Sequence, residues 1–253
     1  MITGTIQQEA IWNAIENTTG HVFVNAGAGT GKTFTIVEGA NRISGKSAAF
    51  LAFNKSIASE LAERLPEDVE AKTFHAFGFA AIRNAGIRTK VNFKKLPTII
   101  KQLLGADYYH APLAKLISLV KGSLVEGKDV PSIRALIDRY DIQFESQREE
   151  NLAIQSIPAI LNICKSETHH IDFDDMIWLP LVNEYPLPNY DMMFVDEAQD
   201  FNESQRELIS RCVNGGRCII VGDINQAIYG FRGADSNSIK MFKQRLSKGD
   251  REI

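Results

Sequence analysis

The segment at residues 25–33, NAGAGTGKT, holds the residue types with the clearest chemical use in this chain. Its three alternating glycines permit a tight turn whose backbone amides, with the positive end of a following helix, surround phosphate oxygens. Lys32 adds a point charge for the β- and γ-phosphates of a nucleotide, and the Thr33 hydroxyl is a ligand for Mg²⁺. This is the P-loop pattern, except that Ala26 replaces its first glycine. The predicted nucleotide-binding residues are Ala26, Gly27, Ala28, Gly29, Thr30, Gly31, Lys32 and Thr33.

A second group of reactive side chains is the acidic run VDEAQD at residues 195–200. The apolar residues before it predict a buried strand that ends at Asp196, and open α/β sheets bind ligands at that end of their strands. Asp196 is then placed to hold Mg²⁺, and Glu197 to polarise an attacking water as a general base. Two alternatives stay open here: the glycine-rich turn binds no ligand, or the acids are merely solvated.

Strands and helices alternate along the parts of the chain that carry these two groups, as in an α/β protein with a parallel sheet. The first helix is predicted to bury one face, formed by Ile6, Ala10, Ile11, Ala14 and Ile15. The predicted strands cover 21–25, 47–53, 190–196 and 217–223. The predicted helices cover 5–18, 31–44, 55–64, 203–213 and a stretch that begins at about 74.

The middle of the chain differs, because it shows helical periodicity and few strand signals. We therefore expect a mostly helical domain to interrupt the α/β domain. The predicted parts are an α/β segment at 1–82, the inserted helical domain at 83–167, and a second α/β segment at 168–253.

The charge of the chain is uneven. The net charge is −3, so nucleic-acid binding is not indicated by the whole chain and has to come from local patches. No acidic residue lies between Glu70 and Asp107, a stretch that is rich in lysine and arginine and includes four phenylalanines. Basic side chains bind phosphates and aromatic rings stack on bases. The alternative is a solvated helix face above core phenylalanines. The phenylalanines are Phe74, Phe77, Phe79 and Phe93.

Composition points to an ordinary globular protein, with 44% hydrophobic and 23% charged residues. The apolar runs are shorter than the roughly 18 residues that a membrane-spanning helix needs, and the first residues do not resemble a secretory signal. Cys164, Cys212 and Cys218 lack metal-ligand spacing, so we expect buried thiols, a reducing compartment and no zinc. A cytoplasmic protein is the simplest interpretation; bound to DNA, it would lie in the nucleoid or the nucleus.

The order of motifs resembles that of UvrD/Rep/PcrA-like superfamily 1A DNA helicases. The block VGDINQAIYGFRGAD is the most specific, because its match together with VDEAQD is very improbable by chance. The DFDD at 172–175 also resembles the place where this family re-enters its first motor domain. The matching blocks are Gln7, the P-loop at 26–33, TFHAFG at 73–78, VDEAQD at 195–200 and VGDINQAIYGFRGAD at 221–235.

This resemblance implies a RecA-like ATP-binding domain and assigns roles to further residues. Gln7 is expected to bind the adenine edge, and Gln226 to contact the γ-phosphate region and couple hydrolysis to motion. Tyr229 and Phe231 are expected to stack on DNA bases; many relatives have tryptophan where Phe231 stands. The alternatives are an exposed polar residue for Gln7 and core packing for the two aromatics. The expected DNA-binding residues are Asn54, Lys55, Thr73, His75, Tyr229, Phe231 and Arg232.

The sequence departs from the family in two places. Residues 51–56 read LAFNKS, with Phe53 directly before Asn54, which argues against a stacking role for Phe53 because one step along a strand reverses its face. The chain also stops at Ile253, where the second motor domain of the family is expected to begin. An arginine supplied across such an interface accelerates hydrolysis by roughly 10³–10⁵ in P-loop enzymes. We therefore expect this chain alone to bind ATP with Mg²⁺ and to hydrolyse it slowly.

The implied activity is a motor that moves 3′→5′ along single-stranded DNA, using ATP and Mg²⁺, with a monomeric chain and no membrane partner. Two other functions stay open. One is an RNA-directed helicase of the same superfamily, and the other is an ATP-switched nucleic-acid-binding module without motor output. The chain is expected to be an expressed fragment or a truncated gene product.

Overall fold

The computed structural model divides into two compact units, which are Met1–Phe77 with Leu187–Ile253 (unit 1) and Gly78–Pro186 (unit 2). Within the part that the structure describes, every helix is too short or too polar to cross a lipid bilayer. The described residues are 3–27, 29–43, 45–52, 54–105, 111–213, 215–223, 242–244, 246 and 251–252.

The strands belong to two sheets, one in each unit. They are β1 (Val22–Asn25), β2 (Ala48–Ala52), β3 (Val69–Thr73), β4 (Lys90–Val91), β5 (His170–Ile171), β6 (Met192–Val195), β7 (Arg217–Gly222) and β8 (Arg251–Glu252).

The helices follow the strands of unit 1 and make up most of unit 2. They are α1 (Ile6–Asn17), α2 (Lys32–Asn41), α3 (Lys55–Arg64), α4 (Phe74–Asn84), α5 (Lys95–Leu104), α6 (Ala111–Ser123), α7 (Val130–Arg139), α8 (Gln147–Ser166), α9 (Phe173–Val182) and α10 (Glu203–Cys212), with a short 3₁₀ helix at Ala198–Asp200.

Unit 1 is built on a sheet with the strand order β3-β2-β6-β7-β1-β8, and all of its pairings are parallel. Three of its inner strands, β2, β6 and β7, are buried along their whole length, as expected for a parallel sheet covered on both faces. Phe50 and Phe194 are register partners on β2 and β6, and their rings stack with centroids 6.1 Å apart. The predicted α/β fold with a parallel sheet is confirmed. Because the strands are parallel, their carboxyl ends share one edge, which is where the predicted site residues fall.

Helix α1 is turned differently from the prediction. Ile6 is 87% exposed and Ala10 is also exposed, whereas Trp12 is fully buried. The indole Nε1 of Trp12 donates a 2.8 Å hydrogen bond to the carbonyl of Thr35 in α2. The larger ring gains more from burial than Ile6 would, and its polar nitrogen finds an acceptor, so the predicted face of this helix was wrong at its first turn.

Unit 2 consists of helices around one apolar core, with the short parallel ladder β4–β5 at its surface. The core includes Ile100, Leu116, Ile133 and Ile157, from four different helices. The predicted insertion at 83–167 lies within this unit, which extends beyond it at both ends. Helix α9 accounts for most of the extension, because it packs on α6 and α8 of the same unit.

The predicted basic and aromatic stretch is divided between interior and surface. Phe74 and Phe77 are buried, where their rings contact Phe201 and Tyr190 of unit 1. Lys95 is also buried, in unit 2. Core packing is therefore the correct interpretation for Phe74 and Phe77, whereas Phe93 is exposed.

Candidate functional site

The loop between β1 and α2 has a backbone that only glycine adopts easily. Gly29 and Gly31 have φ angles of +73° and +78°, in the left-handed region that side chains disfavour. Gly31 stands directly before α2 and has no side chain that could cap the helix. No side chain at this position therefore competes with an anion for the amides of the first turn. The loop is tied to the sheet by the Ala26 amide, which donates to the carbonyl of Gly222 at 3.0 Å, and it is closed by Thr30 Oγ1, which donates to the carbonyl of Gly27 at 2.9 Å.

Two side chains of α2 meet the two carboxylates that follow β6. Lys32 Nζ lies 3.0 Å from Glu197 Oε2, and Thr33 Oγ1 donates a 2.6 Å hydrogen bond to Asp196 Oδ2. These contacts join residues more than 160 positions apart and reach across the end of β7, which lies between β6 and β1 in the sheet. The predicted phosphate-binding lysine, metal ligands and general base are thus brought to one place.

Glu197 is held in an unusual backbone conformation. Its φ and ψ angles of 54° and 42° are left-handed, which costs a residue with a side chain on the order of 1–3 kcal/mol. The amide of Glu197 donates to Asp196 Oδ1 at 2.9 Å, and its side chain is bonded to Lys32, so its surroundings fix this conformation. Strain of this kind is concentrated at functional positions.

Gln199 is a positioning residue that sequence reasoning missed. It is buried, and its Nε2 donates a 2.6 Å hydrogen bond to Glu197 Oε2, the same oxygen that contacts Lys32. Its Oε1 accepts a 3.1 Å hydrogen bond from the amide of Asp223, directly after β7. Gln199 therefore connects the predicted general base to the segment that leaves the next strand. The signal that could have found Gln199 is its place inside VDEAQD, where it is an uncharged polar residue among acids.

The surroundings of Asp196 and Thr33 suit a hard cation. Burial raises the pKa of the Asp196 carboxyl above its ordinary value, and the nearby charge of Glu197 adds to this, against the hydrogen bond from Thr33. A carboxylate that is costly to ionise in isolation gains from a neighbouring cation. The hydroxyl and carboxylate oxygens, 2.6 Å apart, are the ligand types that Mg²⁺ prefers, so these residues fit a magnesium ion bound with nucleotide phosphates.

The two glutamines at the start of α1 lie differently. Gln7 is exposed, whereas Gln8 is half-buried. Gln8 forms a capping box with Thr5, and its Nε2 donates a 3.1 Å hydrogen bond to Thr35 Oγ1 in α2. A Cβ placed on Gly31 would lie 3.7 Å from that same nitrogen. Gln8 thus ties the start of α1 to the phosphate loop, a role that the Thr-x-x-Gln spacing could have indicated.

Four of the residues expected to bind DNA lie at the carboxyl ends of two neighbouring strands or directly after them. Ala52 and Thr73 are register partners at the carboxyl ends of β2 and β3, so Asn54 and Lys55 share a sheet edge with Thr73 and His75. Asn54 caps α3, with its Oδ1 accepting from the amide of Ile57 at 2.9 Å, and Lys55 is exposed. Thr73 Oγ1 accepts from the amide of Ala76 at 3.2 Å.

Several predicted residues lie outside the part of the chain that the structure describes. They are Ala28 of the phosphate loop, Phe53, and Gln226, Tyr229, Phe231 and Arg232 of the block at 221–235.

Comparison with known proteins identifies the family to which a chain with this geometry is similar. The model of the UvrD/REP helicase N-terminal domain matches residues 7–247. The chain is 30% identical over 268 residues to the ATP-dependent DNA helicase Rep of Escherichia coli strain K12, with 91% of this chain and 38% of that protein covered.

Two further relatives come from distant organisms. The ATP-dependent DNA helicase PcrA of Leuconostoc citreum is 24% identical over 270 residues, covering 91% of this chain and 34% of that protein. The F-box DNA helicase 1 of Gallus gallus is 26% identical over 234 residues, covering 84% of this chain and 22% of that protein. The chain therefore spans between about a fifth and two fifths of the length of these relatives.

Proposed function

This chain belongs to the UvrD/REP helicase family, and we propose that it is the ATP-binding first motor domain of a helicase that translocates on single-stranded DNA. The observation that carries the proposal is the pair of contacts that Lys32 and Thr33 make with Glu197 and Asp196. A phosphate-binding loop and two acids meet at the carboxyl edge of a parallel sheet, which is the arrangement that nucleotide hydrolysis needs.

Different residues of the site bind the phosphates, hold Mg²⁺ and accept a proton from water. The amides at the start of α2 and the ammonium of Lys32 bind the phosphates, so Lys32 has to leave Glu197 when a nucleotide arrives. Thr33 and Asp196 hold Mg²⁺, which supplies positive charge against the phosphate oxygens when bound. Once Lys32 has moved, Gln199 still holds one oxygen of Glu197, and the other carboxylate oxygen accepts the proton of an attacking water.

The remaining parts of the nucleotide site follow from the family resemblance. Gln7 is proposed to bind adenine, because its amide has the donor and the acceptor that adenine requires. Its exposure supports this, since the amide of Gln8 is already bonded at both ends, to the Thr5 amide and to Thr35. Gln226 is proposed to sense the γ-phosphate.

The DNA-binding part of the proposal concerns the same sheet edge. Lys55 is exposed there and suited to bind a phosphate of the DNA backbone, next to Asn54, Thr73 and His75. Movement in the 3′→5′ direction, a monomeric state and a second motor domain in the complete protein belong to this proposal. The residues proposed to stack on bases and support them are Tyr229, Phe231 and Arg232.

The first test measures Mg·ATP binding to the chain by titration calorimetry. Removing the ammonium in Lys32→Ala loses charge-assisted hydrogen bonds worth about 1.5–3 kcal/mol, which predicts affinity lower by roughly 10- to 150-fold. Lys46→Ala is the matched control, because Lys46 is an exposed lysine of the same unit outside the site. Equal affinity of Lys32→Ala and the unaltered chain would mean that the phosphate assignment is wrong.

The second test separates the motor proposal from its alternatives. ATP turnover is measured with single-stranded DNA, with RNA of the same sequence, and without nucleic acid. Stimulation by DNA supports the motor domain, and stimulation by RNA alone indicates an RNA-directed enzyme. If nucleotide alters DNA affinity while turnover stays at background, the chain acts as an ATP-switched binding module.

A further inference from the structure

Thr35, at the end of the first turn of α2, makes more hydrogen bonds than a helical position requires. It is buried, and both its amide and its hydroxyl donate to the carbonyl of Gly31, each at 2.9 Å. The bond from the amide is the ordinary α-helical one, whereas the bond from the hydroxyl is additional. The proposed nucleotide site uses Lys32 and Thr33 of the same turn and leaves Thr35 without a role.

A glutamine of α1 sets the direction of the hydroxyl bond. Gln8 Nε2 donates to Thr35 Oγ1 at 3.1 Å, and Gln8 Oε1 accepts from the amide of Thr5 at 2.9 Å. An amide nitrogen only donates, so the hydroxyl of Thr35 accepts at this contact and keeps its own proton for Gly31. Three hydrogen bonds therefore run in one direction and end at the carbonyl of Gly31. This relay joins Thr5, Gln8, Thr35 and Gly31.

The packing of α1 on α2 keeps Gln8 in place. Trp12 Nε1 donates to the carbonyl of Thr35 at 2.8 Å, so Thr35 is bonded to α1 through its backbone as well as its side chain. The two helices approach closely because Gly39 has no side chain, and a Cβ there would lie 2.4 Å from Ile15 Cδ1. The relay therefore starts from a helix that is fixed to α2.

The carbonyl of Gly31 belongs to the same peptide group as the amide of Lys32. This group is planar and trans, so a carbonyl held toward Thr35 turns the Lys32 amide the opposite way, out of the N-terminus of α2. Nucleotide phosphates are bound by amides that point in this direction. Gly31 does not restrict its own backbone, which here is left-handed with a φ of +78°. The bond from Thr35 therefore supplies an orientation that the glycine alone does not fix.

The relay also makes the Lys32 amide a stronger donor. Hydrogen bonds in series polarise one another inside a protein, and the carbonyl of Gly31 accepts two of them. Electron density drawn to this oxygen leaves the amide hydrogen of the same peptide group more positive. A more positive hydrogen binds a phosphate oxygen more tightly.

We propose that Thr35 is a positioning residue of the phosphate site, which orients and polarises the Lys32 amide toward the diphosphate part of the nucleotide. This inference rests on the proposed function, because it concerns the same nucleotide site. It separates recognition of the phosphates from recognition of the base, which the relay does not contact. A ligand with two linked phosphates, including inorganic pyrophosphate, therefore gains affinity from Thr35, whereas adenosine does not.

The test compares Thr35→Val with the unaltered chain, because valine has the branched shape of threonine without the hydroxyl. Titration calorimetry measures the affinity for Mg·ADP and Mg·ATP. Displacement of a fluorescent ADP derivative measures the affinity for magnesium pyrophosphate and for adenosine. The loss of one uncharged hydrogen bond predicts affinity lower by roughly 2- to 10-fold, by the same factor for the three phosphate ligands. Adenosine is expected to bind unchanged.

Thr18 provides a matched control. Its hydroxyl donates to the carbonyl of Ala14, four residues earlier, at 2.7 Å and accepts from Arg217 at 3.3 Å. It thus makes the same two kinds of contact at the opposite end of α1. Thr18→Val is expected to leave all these affinities unchanged, even where it lowers the melting temperature. Thr35→Ser restores the hydroxyl and is expected to bind as the unaltered chain does.

Gln8→Met tests the direction of the relay and does not depend on the folding of Thr35→Val. Methionine has a similar length and does not donate, so the hydroxyl of Thr35 is no longer directed and the affinity for pyrophosphate is expected to fall. In the double variant, the second substitution is expected to add little, because both substitutions break one relay. Additive losses would show that the two residues act independently and would overturn the relay.

The outcomes distinguish this inference from the proposed function. Unchanged affinity of Thr35→Val for Mg·ADP and pyrophosphate overturns the positioning role and leaves nucleotide binding intact. Weaker binding of Mg·ADP with unchanged binding of pyrophosphate also overturns it, because the hydroxyl then acts on the base. If the unaltered chain binds none of these ligands, the proposed nucleotide site is wrong and the inference fails with it.

Discussion

The ion pair between Lys32 and Glu197 predicts that removing the carboxylate tightens nucleotide binding. Lys32 Nζ lies 3.0 Å from Glu197 Oε2, so it has to leave this oxygen before it binds a phosphate. Glu197→Gln removes the negative charge and keeps the shape of the side chain, including an oxygen that still accepts from Gln199. The nucleotide then no longer has to separate two opposite charges, and its γ-phosphate is no longer repelled by the charge of Glu197.

The exposure of the two side chains sets the size of this effect. Coulomb's law with an effective dielectric constant of about 20 gives about 5.5 kcal/mol at this distance, before any cost of desolvation. The side chain of Glu197 is 37% exposed, against 8% for Lys32, so water screens the pair and compensates much of its loss. Measured pairs with such exposure contribute about 1 kcal/mol at most. We expect Glu197→Gln to bind Mg·ATP about fivefold more tightly.

Titration calorimetry at low and high salt measures this change, and a parallel assay measures hydrolysis. Glu197→Gln is expected to gain affinity, more at low salt, and to lose turnover because a carboxamide does not accept a proton from water. Glu63→Gln on α3 is the matched control, since it removes an exposed carboxylate of the same unit. Unchanged or weaker binding by Glu197→Gln would refute the competition between glutamate and phosphate.

Two further predictions concern stability and thiol chemistry. Gly78→Ala should lower the melting temperature in thermal unfolding, because a Cβ at this position would lie 2.0 Å from the carbonyl oxygen of Met176. Such overpacking costs about 1–3 kcal/mol. Alanine usually stabilises a helix relative to glycine, so a higher melting temperature would contradict the close approach. Burial raises the pKa of Cys164 to about 11 and that of Cys212 to about 12, so alkylation by iodoacetamide should be slow at pH 8 and accelerate only as rising pH approaches these values. Rapid labelling at pH 8 before denaturant is added would contradict this burial.

Local patterns predict most elements of unit 1 from their own sequence, whereas β3 and β8 are not among the predicted strands. Helix α3 covers Lys55–Arg64, as its spacing predicts, and the strands of the buried sheet read as short apolar runs. The phosphate loop is recognisable because glycine, lysine and threonine at fixed spacing have few other uses. The meeting of Lys32 with Glu197 follows once both flank parallel strands of one sheet.

Unit 2 shows what local patterns do not reveal. Lys95 lies in a stretch without acids, for which the sequence suggests a basic surface. In the structure it is buried against Asp175, 80 residues further along the chain. The strands β4 and β5 have two residues each, which is too short for any periodicity. Whether a phenylalanine is buried like Phe77 or exposed like Phe93 depends on such distant pairings, so sequence spacing gave the same signal for both.

Two arrangements of lysine with carboxylate in this chain differ in solvent access, and the difference decides their use. The pair of Lys32 with Glu197 is partly exposed, so a triphosphate that offers more negative charge is able to displace the carboxylate. In unit 2, burial acts to lower the pKa of Lys121, but the charges of Asp175 and Asp172 raise it above its ordinary value, so this lysine stays charged. Removing one partner from such a buried pair costs about 3–5 kcal/mol, more than an exposed contact supplies. The first arrangement is therefore able to open with each nucleotide, while the second holds its two chain segments together permanently.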